Sequence, residues 1–155
     1  MASSSTFYTT NNKINWRIDI TPGTQDIENN RTYVTVQVVA WRTNTGYTTD
    51  GYGRCQLTID GTSIADASWS YDGSHALVNN NSRVLHSWSG YIYHNADGTK
   101  TLTVSAYWGI GSSSSNWQST VHANNTETYS LALNTIPRDF SQTPKLTLDG
   151  TQKTE

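Results

Sequence analysis

The chain has 155 residues, of which 56 are Ser, Thr or Asn, against 34% hydrophobic residues in total. Charged residues make up 14%, ten basic and twelve acidic, for a net charge of −2. That is too sparse and too balanced for a phosphate-tracking nucleic-acid surface or a polybasic membrane contact, and no apolar run approaches the roughly 20 residues that span a bilayer. The start, Met1-Ala2-Ser3-Ser4-Ser5-Thr6, has neither the basic nor the apolar region of a secretory signal. The single cysteine, Cys55, allows no intrachain disulfide, so stability is expected to come from core packing.

In chain order, the first periodic segment is Ile14 to Ile20, where Ile14, Trp16, Ile18 and Ile20 alternate with Asn15, Arg17 and Asp19. A period of two with one apolar face is a half-buried strand, and Pro22-Gly23 is expected to end it. Tyr33 to Trp41 follows, with Val34, Val36, Val38 and Ala40 inward. Cys55, Leu57 and Ile59 mark the inner face of a third strand, and Cys55 is expected to act there as a small apolar residue. Val84 to Tyr93, Thr99 to Ile110 and Glu127 to Thr135 complete the pattern, with Leu102, Val104, Ala106 and Trp108 inward. Asp60-Gly61, Asp72-Gly73 and Asp97-Gly98 are turn dipeptides, and the last should join Tyr91 to Val104 as a hairpin. The abundance of Thr, Val and Ile over Ala, Leu and Met points the same way. The expected fold is an all-β antiparallel sandwich, immunoglobulin-like or jelly-roll-like, of about seven to ten short strands. Residues 1–138 should form this single module, and the polar stretch 139–155 a tail or linker toward a following module.

Three segments together resemble the immunoglobulin-like modules of tail proteins from phages of Gram-positive bacteria. They are Asn15-Trp16-Arg17-Ile18-Asp19-Ile20 leading to Gln25-Asp26-Ile27-Glu28-Asn29-Asn30-Arg31-Thr32-Tyr33-Val34, then His94-Asn95-Ala96-Asp97-Gly98-Thr99-Lys100-Thr101-Leu102, and Leu131-Ala132-Leu133-Asn134-Thr135-Ile136-Pro137-Arg138. The likeness spans Tyr8 to Arg138. It implies a module of the distal tail, baseplate or receptor-binding apparatus of a siphophage, made in the bacterial cytoplasm and carried on the virion. Its partners would be host cell-surface saccharide and other tail or baseplate modules. The aromatic-rich stretch from Trp69 to Trp117 departs from the family's plainer members.

Six Trp and nine Tyr against two Phe favour rings with a polar edge. Saccharide recognition wants that choice, because a pyranose offers a C–H face to stack on a ring and a rim of hydroxyls to hydrogen-bond. Trp16, Trp88 and Trp108 share strand parity with Ile18, Ile92 and Val104 and are read as core. The candidate binding residues are the loop aromatics Trp69 and Tyr71 with Asp72, Trp117 with Gln118, the outward-parity Trp41 and Tyr107, and the pair Tyr47 and Tyr52. Tyr91 and Tyr93 have similar parity.

Catalysis is not expected. A glycosidase needs two carboxylates roughly 5–9.5 Å apart, one of them with a raised pKa, whereas Asp50, Asp60, Asp72 and Asp97 each precede glycine in turns. The histidines His75, His86, His94 and His122 are scattered without metal-ligand spacing, His94 being suited to holding its turn. No metal or cofactor is therefore expected. The alternative to saccharide binding is a structural spacer or oligomerisation module, whose outward aromatics bury against a neighbour.

Overall fold

The computed structural model describes residues 3–43, 46, 49–70, 75–77 and 82–138. Among them are nine strands: β1 (Ser3–Tyr8), β2 (Ile14–Asp26), β3 (Arg31–Arg42), β4 (Tyr52–Ile59), β5 (Thr62–Trp69), β6 (Arg83–Tyr93), β7 (Thr101–Gly111), β8 (Val121–His122) and β9 (Glu127–Ala132). One 3-10 turn, Ser114–Asn116, follows β7. Every pairing is antiparallel. One sheet has the order β1-β2-β3-β6; the other runs β5-β4-β7, and β8 and β9 both pair with β7. The expected all-β sandwich is the observed architecture.

The alternating residues do what their period requires. Trp16, Ile18 and Ile20 on β2 lie opposite Ala40, Val38 and Val36 on β3, all fully buried, and they face Cys55, Leu57, Val104, Ala106 and Trp108 of the other sheet in one core cluster. Trp16 meets Trp108 edge-on across the core, centroids 6.4 Å apart at 85°, and its Nε1 donates to the Tyr8 carbonyl at 3.1 Å. Burial pushes the Cys55 thiol up to about 12, so the sulfur is an apolar filler and no nucleophile. Trp88 is only partly buried, packed against the core margin with its ring over Gly90.

Three local expectations need correction. Pro22-Gly23 does not end β2: the strand continues to Asp26 through a bulge between Pro22 and Gln25, where a residue without an N–H is tolerated. Strands β1 and β5 were not expected, since Ser3-Ser4-Ser5-Thr6 and Thr62-Ser63-Ile64 carry little apolar alternation. They are edge strands, held by pairing more than by burial. The segment Tyr91 to Val104 is no hairpin. Its turn forms, Gly98 N–H donating to the Asn95 carbonyl at 2.8 Å, but β6 and β7 belong to different sheets, so the turn is a corner between layers. The two-residue hairpin is instead Asp60-Gly61, with φ of +50° and +83°, closing Ile59 onto Thr62 as a right-twisted ribbon requires.

The three segments that carry the resemblance meet at this corner. Asn30, at φ +55°, donates from Nδ2 to the carbonyls of His94 (3.2 Å) and Asn95 (2.9 Å). His94 is buried, with Nδ1 2.7 Å from the Gly98 carbonyl and Nε2 2.7 Å from Thr32 Oγ1. A carbonyl only accepts, so Nδ1 carries the proton, and in the neutral ring Nε2 accepts from the Thr32 hydroxyl. His94 thus holds its own turn, as expected, and also ties it to β3. Ile136 N–H donates to the Gly98 carbonyl at 2.9 Å, Gln25 Nε2 to the Asn134 carbonyl at 3.0 Å, and Arg138 to the Ile27 carbonyl at 3.1 Å. The stretch 139–155 lies outside the described residues.

Candidate functional site

On β4 the inward side chains are Cys55, Leu57 and Ile59, so Tyr52, Arg54, Gln56 and Thr58 face outward. Register carries that face to the neighbours: Arg54 lies opposite Ser68 and Gln56 opposite Asp66 on β5, while Arg54 lies opposite Gly109 and Tyr52 opposite Gly111 on β7. The two glycines leave the sheet bare, and the serine-rich segment after β7 folds back onto it. A Cβ on Gly109 would stand 3.0 Å from the Trp117 ring, and one on Gly111 would overlap the Asn116 carbonyl. Glycine at these positions is therefore what seats Trp117 on the sheet.

Trp117 is partly buried. The Tyr107 ring stands edge-on to it at 6.0 Å and 76°, and the Arg54 guanidinium lies 5.5 Å from its centroid, within cation–π range. Arg54 is forked onto Asp66, with Nε 2.6 Å from Oδ1 and a second bond from NH2 to Oδ2. The Arg54 hydrogen bond holds the Asp66 carboxyl below the usual carboxylate range, and the same bond raises the guanidinium's own pKa. Beside this pair opens a cleft of about 440 Å³, lined by Tyr52, Arg54, Asp66, Ser68, Trp69 and Trp117 with Gly53, Ser70 and Ser114.

Of the residues expected from the sequence, Tyr52, Trp69 and Trp117 come together here, although they derive from separate stretches of chain. Trp69 is the last residue of β5 rather than a loop residue. It pairs with Gly53 and so has inward parity; its indole crosses that glycine, where a Cβ would overlap the ring. His75 stacks on it at 4.0 Å and 9°, and the Trp69 Nε1 is buried with no hydrogen-bond partner among the described residues. It is a wall of the cleft more than an open platform. Tyr107 lies on the same outer face, its hydroxyl 2.9 Å from His122 Nδ1 and its pKa raised by burial. Gln118 is exposed in a neighbouring depression of about 400 Å³ with Ser115, Asn116, Trp117 and Ser119. Trp41 is on the other sheet, with the Arg17 guanidinium 5.2 Å from its ring. Tyr47, Tyr71 and Asp72 lie outside the described residues.

Sequence reasoning missed Arg54 and Asp66. The sequence carried no signal for the pair: uninterrupted register from the Asp60-Gly61 hairpin would put Asp66 opposite inward-facing Cys55, and it is the bulge between Leu57 and Thr58 that sets it opposite Gln56, on the outer face and two residues along from Arg54. Among the described residues no three His, Cys, Asp or Glu side chains gather as a metal site requires, and no helix is long and apolar enough to cross a membrane. Comparison of the chain with protein-family models, with curated proteins and with solved structures finds no match.

Proposed function

We propose that the chain is a non-catalytic carbohydrate-binding module of a phage tail adhesion device, engaging host cell-wall or surface polysaccharide. The observation that carries this reading is the cleft between Tyr52, Trp69 and Trp117, in which aromatic rings stand beside the Arg54–Asp66 fork and the hydroxyls of Ser68 and Ser70. Rings supply the stacking face and the fork and hydroxyls the hydrogen-bonding rim that a pyranose needs. The resemblance of the three clasped segments to tail modules supplies the biological setting. Arg54 holds the Asp66 carboxyl below the usual range, which disfavours it as the general acid of a glycosidase. One shallow cleft gives modest affinity, and display of many copies on a virion multiplies it.

The test is binding of fluorescently labelled protein to Gram-positive cells and to extracted wall polysaccharide, compared with Tyr52→Ala and Trp117→Ala. Each loss should weaken binding by about 1–2 kcal/mol, roughly five- to thirtyfold. Unchanged binding in the folded double variant would falsify the reading. Trp69 is unsuited to this test because its ring also packs the core margin.

A second reading, a spacer or oligomerisation module, is favoured by the opposite face. There Tyr33, Tyr91 and Tyr93 are 41%, 44% and 61% exposed, and the Arg31 guanidinium lies 3.8 Å from the Tyr91 ring, a Tyr/Arg combination common at protein interfaces. Light scattering at two concentrations separates the readings: an oligomer that labels no cells supports the spacer.

A further inference from the structure

The outer face of the second sheet holds a further depression, of about 300 Å³, directly beyond the Arg54–Asp66 fork. Its lining includes Gln56, Thr58, Ser63, Ser105, Tyr107 and Thr126, and it shares Asp66 with the aromatic cleft. The two hollows are therefore consecutive stretches of one furrow, with the fork as the saddle between them. Along β4 the furrow runs from Tyr52 to Thr58, six residue steps or about 20 Å at strand rise. That is far longer than a single sugar ring. The second stretch differs in character from the first. Apart from the shared Asp66 and from Ala106, it has one ring, Tyr107, and hydroxyl and amide side chains, those of β4 and β7 standing at every second position.

Charge is the second constraint. Among the described residues, the ionic side chains lining the two hollows are Arg54 and Asp66, and they neutralise each other in a two-point fork. A chain bearing phosphate or carboxylate groups would have to compete with Asp66 for Arg54 and would approach Asp66 itself. A neutral chain meets only donors and acceptors already arranged for hydroxyls.

We infer that the ligand is a linear, uncharged oligosaccharide segment lying lengthwise along β4, stacked on Trp117 and Tyr52 in the first hollow and read by Tyr107, Gln56 and Thr58 in the second. This rests on the saccharide reading above and adds the length and charge class of what is bound.

The experiment is a glycan array of neutral oligosaccharides of one to six units alongside anionic polyglycerol phosphate, followed by calorimetry on the chains that bind. Affinity should rise about tenfold or more between two and six units, equivalent to roughly 1.4 kcal/mol. Tyr107→Ala should abolish that rise. Asp66→Asn should weaken the neutral chain and give Arg54 a new, salt-sensitive hold on polyglycerol phosphate. If neutral chains bind but one and six units bind equally, or Tyr107→Ala changes neither, the lengthwise site is wrong and the saccharide reading stands. Preference of the unaltered protein for polyglycerol phosphate overturns the charge class. If nothing on the array binds, the saccharide reading falls and this inference with it.

Discussion

Asp66 illustrates how one residue can be both exposed and committed. Its side chain retains 42% of its exposure, yet both carboxylate oxygens accept from Arg54. With the folded pKa depressed, the pair contributes to stability above the unfolded carboxylate pKa of about 4 and loses that contribution as pH falls through the folded value. Solvent screening keeps the effect on global stability small. The sensitive readout is local. An NMR titration of the Asp66 carboxyl carbon should give a midpoint below that of an unpaired aspartate, and Arg54→Met should return it to the ordinary range. A midpoint at or above the ordinary value, with Arg54 present, would mean the fork does not persist in solution.

At the scale of elements, the corner between β6 and β7 has less room for a side chain than the β4–β5 hairpin. Gly98 and Gly61 have nearly the same φ, +89° and +83°. A Cβ on Gly98 would overlap the Ile136 carbonyl, whereas one on Gly61 would meet nothing within 4 Å. Gly61→Ala should therefore cost only the left-handed penalty, about 1 kcal/mol, and Gly98→Ala more, roughly 2–3 kcal/mol. Urea denaturation of both variants checks the difference, and equal losses would show that the exit segment is not clasped there. The same corner shows what the sequence does and does not disclose. Alternation along Ile14 to Ile20, Val34 to Ala40, Cys55 to Ile59 and Leu102 to Trp108 reveals the strands that bury one face, because burial enforces the period. Strands β1 and β5 gain little from burial and so leave little pattern. Asp97-Gly98 announces a turn correctly, but local turn chemistry is the same whether the chain returns within its sheet or crosses to the other. The Arg54–Asp66 fork depends on strand register, which composition does not encode; Gly109 and Gly111 were visible as letters, but their meaning appears only with Trp117 above them.

For the molecule as a whole, a single core joins the sheets. Trp16 comes from β2 and Trp108 from β7, and their edge-on contact spans the interface between layers. Trp16→Ala should cost about 3–5 kcal/mol, and unfolding followed by tryptophan fluorescence and by far-ultraviolet circular dichroism should coincide in one transition. Trp88→Ala, at the core margin, should cost less. Two separated transitions in the parent protein would mean that the sheets hold together independently.

The clasp at the sandwich end also determines how the domain carries load. Tension applied at Arg138 does not simply peel β9 from β7 one bond at a time. It pulls at once on the Arg138 contact with the Ile27 carbonyl, on Ile136 against Gly98, and on Asn134 against Gln25. These anchor points sit on the end of β2 and the β2–β3 turn of one sheet and on the corner leading into the other. Force entering by the C-terminal exit is thereby divided between both layers before any strand is stripped, the arrangement of a strain relief on a cable.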